Sequence, residues 1–285
     1  MKISKKSLLY TVYIIAITGF FLYYLFPSNT LKTYMAYRLS QGNPDITVTI
    51  DHVSPVIPPG INLHDVGIIH RNKAIVDLDS LKIMPGILSL FSAKSTVNFK
   101  GRVNAGTFSG RAEIDDNSGR LEVKGDGRIS GIQVQGIPAL QRLPADKIAG
   151  VLNGNFTYAT AGPNRTLEGK LTLSQFRIDL NKAVFNLKSL EFRDIDAELM
   201  LKNDTLTIKN TTARGNQLDA DLTGTIELTG ENALDLTVSV TPHHLLLAKI
   251  EKTLPMDFLR GKKAGNAAIS FNIDGTLDEP GFSLN

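Results

Sequence analysis

From Ile46 onward, apolar residues alternate with polar ones over most of the chain. The clearest run is Leu218–Thr229, where Leu, Ala, Gly or Ile occupies every second position and Asp, Thr or Glu the positions between. After Gly230 the alternation resumes at Leu234 and continues to Val240. A period of two residues is typical of a β-strand with one buried face, and Gly- or Asn-containing turns separate such runs. The sequence therefore predicts a mainly β protein built on a long, curved antiparallel sheet with one apolar and one polar face.

Few segments after the N-terminus have helical spacing, and they are short: Pro85–Phe91, Pro138–Ile148 and Pro242–Leu254, the last with Thr241 as a possible cap and Pro242 as its first residue. Helices of this size are too few to cover the apolar face of so many strands. That face must be buried against itself in a sandwich core, against a membrane, or around a ligand. The residues predicted to line an apolar groove are Leu218, Leu222, Ile226, Leu234, Leu236 and Val238.

The N-terminal segment Leu8–Phe26 contains 19 residues without a charge and is followed by Pro27. At about 1.5 Å per residue, such a helix spans roughly 28 Å, the thickness of a bilayer core. The lysines that precede it favour a cytoplasmic N-terminus under the positive-inside rule. The sequence thus predicts a cytoplasmic tail (1–7), a transmembrane signal anchor (8–26), a juxtamembrane helix or linker (27–45) with helix Thr30–Gln41, and an exported β-rich domain (46–285). A cleaved signal peptide is the alternative, but the apolar stretch is long and no A-x-A site follows it.

Composition excludes several classes of function. The first 44 residues hold five of the 31 basic residues and none of the 28 acidic ones, so the rest of the chain carries a net charge of −2. Tyr158 is the one tyrosine beyond Tyr37, and the chain contains no Trp. A near-neutral surface with few aromatic residues argues against nucleic acid as a partner. The absence of Cys excludes disulfides, thiolate nucleophiles and cysteine-bound zinc.

No catalytic, cofactor-binding or metal-binding motif stands out, and the chain is predicted not to be an enzyme. The segment Gly162–Leu171 resembles a phosphate-binding loop, but its glycines are too far apart and Leu171 replaces the hydroxyl that Mg²⁺ requires. The five histidines form no H-x-x-x-H pair. The acidic pairs Asp77/Asp79, Asp194/Asp196 and Asp219/Asp221 have the spacing of the solvated face of a strand.

An internal repeat divides the exported domain. The residues Leu143–Gly150 match Leu254–Gly261 at an offset of 111 positions, and both copies continue to a Gly-Asn pair, Gly154-Asn155 and Gly265-Asn266. The sequence therefore predicts a first part over residues 46–137 and repeat units that start near residues 138 and 242, each a helix followed by strands.

Three stretches resemble a known family. The ending AAISFNIDGTLDEPGFSLN and the middle segment LEFRDIDAELMLKNDTLTIKNTTARGNQLDADLTGTIEL are similar to the strand pairs of AsmA-like and TamB-like periplasmic proteins. The N-terminal anchor, the stretch LKIMPGILSLFSAKSTVNFKGRV and a length near 285 residues narrow the resemblance to type II secretion system protein N of bacteria.

The resemblance implies a single-pass protein of the bacterial inner membrane whose periplasmic domain is a long curved sheet with an aliphatic concave face. It implies an accessory role in type II secretion, with other secretion-system subunits as partners. The alternative is a lipid-transfer or outer-membrane-biogenesis protein that binds phospholipid in its groove. In both cases the membrane partner is reached through Leu8–Phe26, and no cofactor is implied.

Overall fold

The computed structural model describes residues 5–41, 45–57, 59–86, 94–117, 120–142, 145–162, 164–184, 187–229, 232–244, 246, 268–276 and 279–284. Two helices come first, α1 (Lys5–Tyr24) and α2 (Ser28–Gln41). The strands are β1 (Ile46–Val56), β2 (Gly60–His70), β3 (Lys73–Pro85), β4 (Lys94–Val103), β5 (Gly106–Asn117), β6 (Arg120–Gln133), β7 (Ala145–Ala161), β8 (Asn164–Val184), β9 (Leu187–Lys202), β10 (Thr205–Gly215), β11 (Leu218–Glu227), β12 (Leu234–Pro242), β13 (Ile269–Gly275) and β14 (Pro280–Leu284).

The protein is mainly β. The strands of the described residues form one 14-stranded sheet whose spatial order is the order of the sequence, and every neighbouring pair is antiparallel. Tight turns explain this order, because the chain returns beside the strand that it has just left. Arg71 and Asn72 between β2 and β3, and Asn104 and Ala105 between β4 and β5, all have φ between 44° and 64°. Two consecutive residues with positive φ match the right-handed twist of a hairpin.

Helix α2 lies along the open edge of the sheet at β1. The Ser40 Oγ accepts a hydrogen bond from the Val48 N–H at 3.0 Å, and the Ser28 Oγ donates to the Val53 carbonyl at 2.6 Å. The helix also makes an apolar contact, because its Leu31 packs against the core of the sheet. The helix therefore satisfies backbone groups of an edge strand that would otherwise be free to pair with another chain.

The N-terminal part of the sheet, β1–β7, has a core with a second layer. Val53 and Leu63 are fully buried, and Val103 and Ile132 are 2% and 6% exposed. Helix α2 and the segment after β6 cover this core. That segment contains two 3₁₀ turns (Val134–Gly136 and Leu140–Arg142), packs Ile137 on the core and bonds the Ala139 N–H to the Ile75 carbonyl at 3.2 Å.

The C-terminal part, β8–β14, packs differently. Ile208, Leu234 and Leu236 form a cluster, and each keeps 8–9% of its surface exposed. The residues packed against this cluster are Leu199, Leu222, Ile226 and Ile273. All seven lie on β9–β13, so the described contacts of this cluster lie along the same sheet. At the end of these strands, Leu190 and Leu218 pack against Leu246, which follows β12.

The structure corrects part of the helix prediction. Within Pro138–Ile148 the helical residues are the 3₁₀ turn Leu140–Arg142, whereas Ala145 begins β7 and Ile148 pairs with Ile178 of β8. Thr241 and Pro242 end β12 instead of starting a helix, although His244 and Leu246 are helical. Pro85 ends β3. The remainder of Pro85–Phe91 and of Pro242–Leu254 lies largely outside the described residues. Pairing with distant strands overrides the local helical spacing.

The predicted transmembrane anchor and the predicted internal repeat can also be compared with the structure. The anchor predicted at Leu8–Phe26 falls on α1, which spans Lys5–Tyr24, and on the turn that follows. Among the residues that the structure describes, none of the helices is long and apolar enough to cross a membrane, so the predicted anchor has no support there. Of the repeat, residues 145–150 lie in β7, and the second copy, Leu254–Gly261, lies outside the described residues.

Candidate functional site

Strands β11 and β12 bring the six predicted lining residues onto one face of the sheet. Leu222 pairs with Val238, Ile226 with Leu234, and Gly224 with Leu236. Because paired residues of antiparallel strands point to the same side, five of the six side chains form a continuous surface. The sixth, Leu218, lies on the same side at the end of β11, where it packs against Leu246. We call these six residues the β11–β12 apolar face.

The apolar surface extends beyond the two strands from which it was predicted. Leu199 of β9 pairs with Ile208 of β10, and Ile273 of β13 pairs with Leu236. On the same face, towards β8, Leu201 of β9 pairs with Leu167 of β8. The alternation in the sequence predicts that each of these residues lies on the apolar face of its own strand. It does not predict which residues are paired across strands, so the extent of the apolar surface could not be read from the sequence.

The opposite face carries cross-strand polar pairs. The Lys170 Nζ lies 2.8 Å from the Glu198 Oε1, the Thr172 hydroxyl donates to Asp196 at 2.7 Å, and the Ser174 hydroxyl donates to Asp194 at 3.0 Å. The acidic pair Asp194/Asp196 is therefore engaged by hydroxyl groups of β8. Asp219, of another acidic pair, lies 3.6 Å from Arg214 and 3.5 Å from His243. These carboxylates stabilise the polar surface of the sheet, which is the role that their spacing predicts.

Replacing Lys170 by glutamine should raise the pKa of Glu198 towards its ordinary value. The hydrogen bond and the charge of Lys170 lower the pKa of Glu198, and Glu198 raises that of Lys170. The stabilisation by a carboxylate with a lowered pKa is present at neutral pH and is lost as the pH falls through the folded-state pKa. A ¹³C NMR titration of the Glu198 carboxyl measures the change, and Lys202→Gln on the same face is the control. An identical Glu198 titration in Lys170→Gln would contradict the pairing.

The histidines of β1 and β2 form a second polar group. His52 and His64 are paired in register with ring centroids 5.8 Å apart. The Ser28 Oγ lies 3.2 Å from His52, and Ser54 and Asn62 lie 3.1 and 2.6 Å from His64. Within the described residues, no group of three or more His, Asp or Glu side chains is arranged to hold a metal ion. Both rings thus form hydrogen bonds with hydroxyl or amide groups, and the bond between Ser28 and His52 joins α2 to the sheet.

Comparison with known proteins places this chain in no family. No family model, curated protein or solved structure matches it. The β11–β12 apolar face and its surroundings are therefore what bears on function.

Proposed function

We propose that this protein binds the acyl chains of phospholipid along the apolar face of β8–β13, as a periplasmic domain held at the bacterial inner membrane. One observation carries the proposal: in the described part of the chain, the cluster of Ile208, Leu234 and Leu236 packs only against residues of the same sheet, Leu199, Leu222, Ile226 and Ile273. The N-terminal core, by contrast, is covered by α2 and by Ile137. Among the described residues outside the sheet, Leu246 contacts only the end of this face at Leu190 and Leu218, so the central cluster presents an aliphatic surface to an apolar partner.

The chemistry of the face suits an acyl chain. Its members are Leu, Ile and Val, which place no polar atom on the surface and therefore require no hydrogen-bond partner from the ligand. Each methylene that leaves water on such a surface contributes about 0.8 kcal/mol. The polar side chains of the same strands, such as Lys170 and Glu198, lie on the other side of the sheet.

The N-terminal helix supports a location at a membrane. On α1 and directly after it, large side chains are exposed: Tyr10 by 66%, Phe20 by 62% and Leu25 by 70%. Apolar and aromatic side chains in this arrangement favour contact with lipid. The proposal therefore retains Leu8–Phe26 as the segment that associates with the bilayer. The resemblance to AsmA-like and TamB-like proteins agrees with it, and the accessory role in type II secretion stays a prediction of that resemblance.

Crosslinking with a phospholipid that carries a photoreactive acyl chain tests the proposal. The full chain is reconstituted, irradiated and mapped by mass spectrometry, which separates adducts on the sheet from adducts on α1. We expect adducts on β10–β13 in the parent protein and at least a fivefold loss of them in Leu222→Glu, because a charge on this face repels the acyl chain. The adducts on α1 should stay the same.

Thr223→Glu is the matched control, since Thr223 is adjacent in β11 but points to the exposed side. It should keep the adducts on the sheet. Circular dichroism checks that both variants fold. Absence of adducts on β10–β13 in the parent, or equal yields in the two variants, would show that the apolar face does not bind acyl chains.

A further inference from the structure

The polar face of the sheet pairs opposite charges across neighbouring strands at several places. Besides Lys170 and Glu198, Lys94 of β4 lies 3.5 Å from Asp115 of β5. Across the intervening strand β9, Lys209 of β10 lies 3.6 Å from Glu168 of β8. Such pairing is the favourable arrangement, because like charges directly opposite each other destabilise a sheet.

Strands β3 and β4 break this rule. Lys82 and Lys100 are directly opposite in register, and both are exposed. The residues next in the same row are uncharged, Asn62 of β2 on one side and Ser109 of β5 on the other. Among the described residues, no carboxylate oxygen lies within 4.0 Å of either ammonium group. Two lysines therefore face each other without a compensating acid.

A third cation adjoins the pair. Arg102, two residues after Lys100 on the same face of β4, is exposed and donates from its Nε to the Ser80 Oγ at 3.3 Å. A hydroxyl partner orients the guanidinium but leaves its charge uncompensated. We call Lys82, Lys100 and Arg102 the cationic patch.

The patch is close to the start of α2, at the edge of the sheet. Ser28, at the start of α2, bonds to the Val53 carbonyl in β1. The next residue of β1, Ser54, is in register with Asn62, which is in register with Lys82. At about 4.8 Å per strand, Lys82 and Lys100 lie about 10 and 14 Å across the sheet from β1. Tyr24 at the end of α1 and Leu25 after it are exposed, and they come four and three residues before Ser28.

We propose that the cationic patch docks on the anionic headgroups of a phospholipid bilayer and holds the first strands of the sheet against the membrane beside α1. Phosphate groups at the surface would relieve the repulsion between Lys82 and Lys100, and exposed aromatic side chains at the end of α1 mark where the headgroup region lies. The patch lies on the polar face of β3 and β4, whereas the acyl chains are proposed to bind the apolar face of β8–β13. The docking surface therefore rests on the part of the proposed function that places α1 at the bilayer, but it does not depend on acyl-chain binding by β8–β13.

The absence of cysteine provides a clean probe. Ser109→Cys places a single thiol opposite Lys100, where it is exposed for a fluorescent label. The labelled full chain is reconstituted in nanodiscs of phosphatidylcholine, with or without phosphatidylglycerol, that contain a headgroup-attached quencher. We expect at least threefold stronger quenching with phosphatidylglycerol, and a decrease of that quenching as NaCl rises from about 0.05 to 0.5 M, because salt screens exposed charges.

The variant Lys82→Gln/Lys100→Gln should lose this lipid-dependent quenching. Lys170→Gln/Lys209→Gln removes the same charge from lysines that have carboxylate partners, and it should behave as the parent does. The salt titration needs only the labelled Ser109→Cys chain, so the proposal is tested even if the lysine substitutions impair folding. Quenching that is indifferent to phosphatidylglycerol and salt, or that falls equally in both double variants, would overturn the docking surface while leaving the crosslinking result on β10–β13 untouched.

Discussion

Replacing Leu63 by alanine should lower the free energy of unfolding by about 2–5 kcal/mol, the range for truncation of a fully buried leucine. Leu63 of β2 is 0% exposed and lies in the cluster that contains Val53 and Leu78. Helix α2 and Ile137 cover this cluster, so the sheet has little freedom to collapse into the space that the side chain leaves. Urea unfolding followed by circular dichroism measures the effect.

Leu222→Ala is the matched variant in the C-terminal part of the sheet. Leu222 is half-buried and packs beside Ile208 and Leu236 in the same sheet face. Because the side chain already contacts solvent, its truncation should cost less than about 2 kcal/mol. Equal losses at Leu63 and Leu222 would contradict the contrast between the covered N-terminal core and the C-terminal cluster, whose described contacts lie along one sheet.

Gly224→Ala should destabilise the protein by about 1–3 kcal/mol. Gly224 lies on the apolar side of β11, between Ile208 and Leu236 in register. Its φ of 138° is a conformation that other residues rarely adopt, and a Cβ there would overlap the Asp235 carbonyl oxygen of β12. The backbone of β11 or β12 would have to move, because no flexible side chain can yield.

Gly169→Ala provides the control for the glycine substitution. Gly169 also lies inside a strand, but the nearest atom to an added Cβ is the Asn155 carbonyl oxygen at 3.9 Å. Alanine should therefore be neutral or stabilise by up to about 1 kcal/mol through the unfolded state. A thermal unfolding experiment on both variants compares them directly. Similar destabilisation at both positions would mean that loss of glycine itself, rather than the contact at Asp235, is responsible.

The mainly β class follows from the sequence because alternation depends on local chemistry. Leu218–Thr229 shows which side chains share a face before any partner strand is known, and the outward position of Asp194 and Asp196 follows from the same period. Turn residues such as Asn72 and Asn104 favour tight hairpins, and therefore antiparallel neighbours, because asparagine tolerates positive φ at little cost. Each of these properties is decided within a few residues of the chain.

The helix predicted at Pro138–Ile148 extended too far, because long-range pairing was stronger than local spacing. The helix predicted at Pro242–Leu254 began too early, but its residues His244 and Leu246 are helical. The apolar spacing around Ile148 and the proline at Pro242 favour helices when read alone. In the folded chain, Ile148 pairs with Ile178 and Pro242 with Leu218, and both belong to strands. Backbone pairing with a neighbouring strand satisfies every second residue's hydrogen bonds, and a short helix in isolation offers no comparable gain.

The sequence by itself determined the period of the strands, the apolar identity of the β11–β12 face and the uneven distribution of charge, because these are properties of residues and their near neighbours. Only the tertiary structure decided that α2 covers the edge at β1, that the described contacts of the Ile208, Leu234 and Leu236 cluster lie within one sheet, and that Lys82 faces Lys100. Those features depend on register and on which elements meet across many residues. Alternation specifies which way a side chain points, but not what lies opposite it.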